Sequence, residues 1–384
     1  MRRTLIFAVL SLVSGLSYAD DRCLAEAVHS SSAVKPMAGS IVMSTRSANG
    51  KTDTKVIGGD GAGQVTGQDG FRIASITKTF VAATVLRLWE DGRIDLDAPI
   101  APLLPVEWLA LLKKGGYAPD KITVRQLASH TSGLADHAQA PQFIEAVKAH
   151  PDKEWSRTID LQKLIEWTRP VGQPGEKFSY SDTGYVLLGA IVERVTGTDL
   201  PRAVRTELSL DTINLPNTYW EKFEPANGRK RVHQLFEGLD TYNWTPTMDL
   251  FGGGGIVSTP QDLATFFDAL LTGRLFKHKE TLALMTSSQG LPVSDPYRIG
   301  VFVYDYNGTN SIGHSGFWGT FVARETASGQ TFAAAVTDRS DYPRLKEIMM
   351  DYLGRAQKSA SGISCESDGR AGAASAAASA STTP

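Results

Sequence analysis

The segment Ser75-Ile76-Thr77-Lys78 places a serine and a lysine at a spacing that can support nucleophilic catalysis. Residues three apart share one face of a helix, so the Ser75 hydroxyl and the Lys78 amine would be neighbours. A serine is a good nucleophile only when a base removes its proton, and a desolvated lysine can be that base. The alternative is that Ser75 caps the helix and Lys78 is solvated. A second S-x-x-K stands at 32–35, but Pro36 follows it and no amphipathic helix does.

A second group of candidate residues is Tyr180-Ser181-Asp182. A tyrosine can shuttle protons when a nearby cation, here Lys78, stabilises its phenolate. The alternative is that Tyr180 is a packed aromatic residue. Asp182 precedes an apolar-periodic stretch at 183–195 and is predicted to cap that helix, which would not prevent it from lining a site.

The third candidate is Gly313-His314-Ser315-Gly316, at the edge of a predicted strand. Two glycines beside polar residues indicate that the backbone approaches a ligand closely, or else that the strand contains an ordinary bulge. The sequence has seven histidines, but none lies in an H-E-x-x-H arrangement. It therefore predicts neither a metal site nor a cofactor.

Taken together and in this order, the three segments resemble the serine hydrolases of the class C β-lactamase and D-Ala-D-Ala carboxypeptidase family, which includes esterases. That family's pattern is S-x-x-K, then Y-x-N, then K-T-G or H-T-G. Three further segments resemble the family, at 127–134 (LASHTSGL), 180–189 and 252–260 (GGGGIVSTP). The tetraglycine is not a phosphate-binding loop, because no G-K-[ST] follows it. The likeness covers about 39–353.

The resemblance implies that Ser75 is the acyl-accepting nucleophile and that Lys78 and Tyr180 share the proton transfers. The backbone N–H groups of Ser75 and Phe317 would form the oxyanion hole, because family members use the residue after the third motif's glycine. The residues implied to bind substrate or its oxyanion are Asp182, His314, Ser315, Gly316 and Phe317.

Two residues depart from the family's pattern. Asp182 replaces Asn, and an ionised carboxylate only accepts hydrogen bonds. An ion pair with Lys78 would make Tyr180 the stronger candidate for the base, and Asp182 could also favour substrates that offer an amine near the scissile carbonyl. His314 replaces the Lys of β-lactamases and is mostly neutral at pH 7, so a cation for a substrate carboxylate is missing there.

The elements that must position these residues read as strands at both ends of the chain with helices between. Short apolar runs at 39–44 and 55–58 flank an Asn49-Gly50 turn, and a second series of strands occupies 298–304, 311–313, 317–324 and 331–337. Turns at 307–308 and 328–329 separate those strands, and a helix at 342–353 follows. We expect an α+β fold, an antiparallel sheet flanked by helices as in β-lactamases and transpeptidases.

Helix starts are predicted at Thr123, by a capping box with Gln126, and at Thr259, by a cap and Pro260. A helix over 76–90 should follow Ser75. The predicted division is a discontinuous sheet domain of 20–94 plus 251–357, interrupted by a mostly helical insertion at 95–250. An Ala/Ser-rich tail at 358–384 cannot form a core.

The composition excludes several classes of protein. The 384 residues carry 39 Lys+Arg and 41 Asp+Glu, a net charge of −2, which argues against a nucleic-acid binder. Residues 1–19, with Arg2, Arg3, a short apolar run and Ser17-Tyr18-Ala19, predict a secretory signal cut before Asp20. A membrane anchor is the alternative, and no other stretch could span a bilayer. Cys23 and Cys365 could pair in an oxidising compartment or remain free thiols.

We therefore expect an exported, periplasmic or secreted, serine acyl-hydrolase that acts on a small-molecule or peptide acyl compound. Within that class the candidates are a peptidase or amidase on D-amino-acid peptides, a carboxylester hydrolase and a weak β-lactamase, in that order. A different class of protein, a non-catalytic binder of penicillin or cell-wall peptide, remains an alternative. The sequence does not predict the oligomeric state.

Overall fold

The computed structural model describes residues 13–32, 36–58, 65–291, 296–306 and 308–360. The helices are α1 (Val13–Ser32), α2 (Thr77–Glu90), α3 (Val106–Lys114), α4 (Val124–Ala128), α5 (Pro141–Ala149), α6 (Arg157–Trp167), α7 (Asp182–Thr196), α8 (Leu200–Glu207), α9 (Pro260–Leu271), α10 (Lys279–Thr286) and α11 (Tyr342–Ala360). The strands are β1 (Ser40–Arg46), β2 (Thr52–Gly58), β3 (Phe71–Arg72), β4 (Tyr219–Trp220), β5 (Leu235–Phe236), β6 (Leu239–Asp240), β7 (Ile256–Ser258), β8 (Phe302–Tyr306), β9 (Thr309–Gly316), β10 (Thr320–Glu325) and β11 (Thr331–Val336).

Six of these strands form one antiparallel sheet, in the order β2-β1-β11-β10-β9-β8. The pairing of β1 with β11 joins the two ends of the chain and sets Ile41 opposite Val336. The predicted turn at Asn49-Gly50 links β1 to β2, and Gly50 has a φ of 87°, a conformation that favours glycine. The predicted α+β fold, with a sheet assembled from both chain ends, is confirmed.

Helices cover this sheet on both faces, as β11 shows. All six of its residues are buried, although successive side chains of a strand point to opposite faces. Phe332 and Ala334 join a core with α1 and α11, whereas Ala333 joins the large helical core on the other face, where α9 contacts the sheet. Small alanines on β11 let α9 pack closely.

The helical core surrounds α2, the helix that begins just after Ser75. Phe80 on α2 stacks on Phe266 of α9 with ring centroids 3.5 Å apart. This core contains residues of both the predicted sheet domain and the predicted insertion at 95–250, and the domain boundaries stay a prediction. A helix packed on nearly all sides is a rigid support for the residues at its start.

Several local predictions hold. Thr123 and Gln126 form the capping box of α4, and Thr259 caps α9 by accepting from the Asp262 N–H at 3.1 Å. Other details differ. The strand predicted over 298–304 begins only at Phe302, because Gly300, with a φ of 75°, turns the chain immediately before it. Asn307, of the predicted turn at 307–308, lies outside the described residues.

The chain termini bear on the predicted signal and tail. Residues 1–12 and 361–384 lie outside the described residues, and α1 runs from Val13 through the predicted cleavage site after Ala19. Leu24 of α1 is fully buried against the sheet. No free cysteine occurs among the described residues, because Cys23 is in a disulfide, and Cys365 lies outside them. No helix in the described part of the chain is long and apolar enough to cross a bilayer.

Candidate active site

Ser75 lies in a short 3₁₀ turn, Ala74–Ile76, immediately before α2. The alternative that Ser75 caps the helix is wrong, and the helix predicted over 76–90 begins at Thr77, with Ile76 as its N-cap and without a side-chain bond. The turn is tight enough that Ala74 has a φ of 44°, in the left-handed region that alanine rarely adopts. The Ser75 hydroxyl is therefore not used for capping and lines a cavity.

Lys78 is fully buried, and its ammonium group has three acceptors around it. Its Nζ lies 2.8 Å from Ser75 Oγ and 2.7 Å from the Gly253 carbonyl oxygen, and it forms an ion pair with Asp182. Lys78 thus donates hydrogen bonds to the Ser75 hydroxyl and to the Gly253 carbonyl, and its contact with Asp182 is an ion pair.

Tyr180 stands on the other side of Ser75 and hydrogen-bonds to it. Lys78 Nζ lies 5.2 Å from the centroid of the Tyr180 ring. Burial, and then the charge of Asp182, raise the pKa of the Tyr180 phenol well above its ordinary value. The expected ion pair of Lys78 with Asp182 is present, although the same carboxylate opposes the Tyr180 phenolate, and the assignment of Tyr180 as the base stays a prediction.

Asp182 is not a helix cap. Ser181 takes that position, because its Oγ accepts from the Gly184 N–H at 3.2 Å while its backbone is extended, with a φ of −147°. Asp182 is the first residue of α7, and its carboxylate is free to reach Lys78. Ser181 thus caps α7 and Asp182 pairs with Lys78, whereas both roles were predicted for Asp182.

His314 is a neutral, hydrogen-bonded residue near the end of β9. Its Nδ1–H donates to the Ser315 carbonyl oxygen at 2.8 Å, and its Nε2 accepts from the Tyr297 hydroxyl at 3.1 Å. Burial, and then the positive charge of Lys78, lower the pKa of His314 to about 3. His314 carries no charge near pH 7, so it cannot replace the cation that the family's lysine would supply.

The two glycines of the third motif admit neighbouring segments of the chain. A Cβ at Gly316 would lie 2.2 Å from the Ile73 carbonyl oxygen, and one at Gly313 would lie 2.1 Å from the Val322 carbonyl oxygen. The predicted close approach is real, but its partner is the protein's own backbone. Gly316 brings the end of β9 against the residues just before Ser75.

A cavity of about 500 Å³ joins these segments. All but one of the predicted site residues line it, the exception being Lys78, which lies buried behind Ser75. The predicted lining residues are Ser75, Tyr180, Asp182, His314, Ser315, Gly316 and Phe317. Aromatic and apolar residues form much of the remaining wall, namely Phe143, Ile144, Phe236, Met248, Phe302, Trp318 and Tyr342.

The sequence analysis missed two aspartates that line the same cavity, Asp136 and Asp249. Asp136 follows the LASHTSGL segment by two residues and Asp249 precedes the tetraglycine by three, so proximity to the family's segments was the available signal. Burial, and then the charge of Asp182, raise the pKa of each to about 7. Among the described residues no group of His, Cys, Asp and Glu side chains could hold a metal ion.

The tetraglycine also has an observable role. The Gly253 carbonyl holds Lys78, and a Cβ at Gly254 would lie 2.1 Å from Asp249 Oδ2. Gly252 and Gly255 have φ values of 119° and 107°. A chain without side chains can therefore wrap around the lysine and its carboxylates, which explains this run of glycines.

His130, from the LASHTSGL segment, supports the site from behind. Its Nδ1 accepts from the Ser181 N–H at 3.1 Å, and its ring centroid lies 4.1 Å from that of Tyr180. Burial, and then the charge of Lys78, lower the pKa of His130 well below its usual value. A neutral His130 thus holds the backbone beside Tyr180 and packs on its ring.

Comparison with known proteins gives the family and the fold of the chain. The family model described as Beta-lactamase matches residues 48–350. A D-stereospecific amidohydrolase from Streptomyces sp. is 27% identical, with a TM-score of 0.69 over 86% of this chain and 97% of that one. The D-amino acid amidase of Ochrobactrum anthropi SV3 is 22% identical, with a TM-score of 0.70 over 88% of this chain and 100% of that one, a likeness of fold.

Among curated sequences, Penicillin-binding protein 4* of Bacillus subtilis is 27% identical over 213 residues, or 52% of this chain and 44% of its own length. A second penicillin-binding relative from the same organism is matched over 64% of its length. The chain thus spans about half to two thirds of the length of these relatives.

Proposed function

We propose, from the premise that the chain belongs to the beta-lactamase family of serine hydrolases, that it forms an acyl-enzyme on Ser75 and hydrolyses amides of D-amino acids, short peptides included. The observation that carries the proposal is the position of the Ser75 hydroxyl. It lies 2.8 Å from the Lys78 ammonium and hydrogen-bonds to Tyr180, on the wall of a cavity with room for a small acyl compound. The amidohydrolase likeness supports the choice of D-amino acid amides.

In the proposed acylation step, Ser75 Oγ attacks the carbonyl carbon of the substrate. A C–O bond forms, the carbonyl electrons move to the oxygen, and the serine proton passes to the Lys78–Tyr180 pair. The N–H groups of Ser75 and Phe317 would stabilise the oxyanion. The C–N bond then breaks, the pair returns the proton to the leaving nitrogen, and water releases the acid and restores Ser75.

The contacts of Lys78 set the route of the first proton. Lys78 donates to Ser75 Oγ and to the Gly253 carbonyl and lies against the Asp182 carboxylate, so in the proposed route one proton leaves Lys78 before it accepts that of Ser75. Asp182 is in direct contact and can take it. We therefore assign Asp182 the part of a temporary proton acceptor, a part that an amide side chain at this position could not play.

Intact mass and product release test this function. Wild type and Ser75→Ala would each be incubated with D-alanine amide, a D-Ala-D-Ala peptide, an activated ester and benzylpenicillin. We expect turnover of the amide or the peptide by wild type and none by Ser75→Ala. A stable penicillin adduct without turnover of any substrate would instead identify a non-catalytic binder, and no adduct with no turnover would reject catalysis.

A carboxylester hydrolase is the second candidate function. Neutral His314 and the largely apolar cavity wall favour uncharged substrates, which simple esters are. Rapid turnover of the activated ester, without cleavage of D-alanine amide or the D-Ala-D-Ala peptide, would identify a carboxylester hydrolase. Weak hydrolysis of penicillin is the third candidate, because the carboxylates that line the cavity oppose an anionic substrate.

We also propose that the protein is exported after removal of residues 1–19. The support is the charged, apolar and small-residue pattern of that segment. Fractionation of a bacterial host, with N-terminal sequencing of the product, is the test. A protein that keeps Met1 and stays in the cytoplasm would contradict it.

A further inference from the structure

Asp249 is a carboxyl group in the substrate cavity that the acylation steps do not use. It is half-buried, lines the cavity, and has no hydrogen bond or ion pair to its side chain from any described residue. By contrast, Asp182 pairs with Lys78, and Asp136 accepts from the Ala138 N–H at 2.9 Å and from Gln139 at 3.1 Å. A buried carboxylate without a donor is unfavourable unless it is protonated or meets a cation.

The backbone is shaped to keep this carboxyl where it is. A Cβ at Gly254 would lie 2.1 Å from Asp249 Oδ2 and 2.3 Å from Asp249 Cγ, so only glycine fits beside it. Two small cavities of about 10 Å³ also adjoin Asp249, each with space for about one water. Water there would hydrate the carboxyl group but would not neutralise its charge.

The protein cations near Asp249 already have other partners: Arg72, which lines one of the small cavities, is paired with Glu221. Lys78 is occupied by Asp182, and His314 is neutral. Among the described residues, Arg339 is the one positively charged residue that lines the cavity, and it belongs to the opposite, sheet-derived wall. Its Nε–H donates to the Phe317 carbonyl, and its guanidinium carbon lies 4.8 Å from the Tyr342 ring centroid.

We propose that Asp249, assisted by Asp136, binds the free ammonium group of the substrate, so that the preferred substrates are amides and short peptides with an unblocked amine beside the scissile carbonyl. The proposal rests on the proposed function and names its substrate class. The incoming ammonium would supply the donors that Asp249 lacks, and such charge-assisted bonds are strong in a buried site. N-acylated compounds would lose this interaction, and anionic β-lactams would be repelled.

Binding to a catalytically inactive variant tests the subsite without turnover. In the Ser75→Ala background, calorimetry would compare D-phenylalanine amide with 3-phenylpropanamide, which lacks only the amine. We expect the amine-bearing ligand to bind at least tenfold more tightly, and Ser75→Ala/Asp249→Asn to remove that difference. The control is Ser75→Ala/Asp152→Asn, an exposed aspartate outside the cavity lining, which should retain it.

Turnover separates the two proposals. Wild type and Asp249→Asn would be assayed on the p-nitroanilides of D-phenylalanine and of 3-phenylpropionic acid. We expect Asp249→Asn to lower kcat/KM at least tenfold more on the first anilide than on the second. If neither anilide is cleaved but the binding difference holds, the proposed function fails and the ammonium subsite stands.

Equal binding of the two ligands to Ser75→Ala, or a difference that survives Asp249→Asn, would overturn the subsite. If Asp249→Asn does not fold, Asp136→Asn is the second variant, with an expected three- to tenfold loss of the amine preference. With benzylpenicillin, we expect Asp249→Asn to have the opposite effect, an increase in the rate. Asp249→Asn should acylate several-fold faster than wild type because one repelling carboxylate is gone, and a slower reaction would contradict the proposal.

Discussion

The two walls of the cavity differ in what they contribute. The wall from the helical region of 95–250 contributes ionisable groups, Asp136, Tyr180, Asp182 and Asp249. The wall from the sheet contributes a neutral histidine, backbone and aromatic side chains, with Arg339 held against them. Apart from Lys78 of α2, the ionisable groups at the cavity therefore come mainly from the helical region, whereas the sheet contributes mainly neutral and aromatic groups.

The difference has a physical basis in how each wall is built. The end of β9 is fixed by paired strands and by the close contact of Gly316 with Ile73, so its groups have little freedom. The carboxyl groups of the helical wall sit at helix starts and in loops, where their surroundings include Lys78 and each other. Variants on the two walls should accordingly fail in different ways.

The largest effect is expected at the nucleophile that both walls face. Ser75→Ala should lower kcat by at least about 1,000-fold, because no other group can form the acyl-enzyme. Intact mass should show loss of the adduct, with unchanged Tm. The control Ser288→Ala removes an exposed hydroxyl far from the cavity lining and should be fully active, and an adduct on Ser75→Ala would contradict the assignment.

The next effect is a shape defect in the sheet wall. A Cβ in Gly316→Ala would press on the Ile73 carbonyl and on Thr320 Oγ1, 2.2 and 2.3 Å away. We expect a loss of about 1–3 kcal/mol in the free energy of unfolding and a clear fall in kcat, because Ser75 lies two residues beyond Ile73. Denaturant unfolding and steady-state kinetics measure both. Gly354→Ala, in α11, has room and should be harmless.

The pH dependence of binding should come from the helical wall. Asp136 and Asp249 have pKa values raised to about 7, so they lose their protons as pH rises from 6 to 8 and then attract an ammonium. KM for D-phenylalanine amide should fall from pH 6 to about pH 7 and rise again toward pH 8, because an α-amine loses its proton at about pH 7.7–8. His314→Gln should keep this profile, since the pKa of His314 is about 3, and Asp249→Asn should flatten it.

The smallest effect is on stability. Because the pKa of Asp249 is raised in the folded state, the unfolded chain releases that proton first, and the folded state becomes less stable as pH rises from about 4 to 7. Asp249→Asn mimics the protonated form. Its Tm should exceed that of wild type at pH 8 and match it at pH 4.5, and equal Tm values at both pH values would contradict the raised pKa.

Helix caps and turns whose residues lie close together in the chain could be predicted from the sequence. The caps at Thr123 and Thr259 and the Asn49-Gly50 turn involve residues at most three positions apart, and each is found as predicted. The prediction of Asp182 as the helix cap was wrong. Serine and aspartate both favour the N-cap position, and the sequence does not show that Asp182 forms an ion pair with Lys78 while Ser181 caps the helix.

The environments of the candidate residues were beyond prediction. Ser75 and Lys78 were singled out by spacing, but the third acceptor of Lys78 is a carbonyl at Gly253 that lies 175 residues away along the chain. Asp249 resembles any loop aspartate until packing places it beside Asp182. The pKa of such a group depends on burial and on charges from distant segments, and neither has a local sequence signal.

The pairing of β1 with β11 determines when the sheet can form during synthesis of the chain. Ser40 and Thr337 hydrogen-bond across a separation of 297 residues, so the contact order of the sheet is high and its closure is a late event in folding. A ribosome must release nearly the whole chain before β1 finds its partner. Ser75 is synthesised early, but the sheet wall of the cavity that it lines can form only after β9 to β11 have been made.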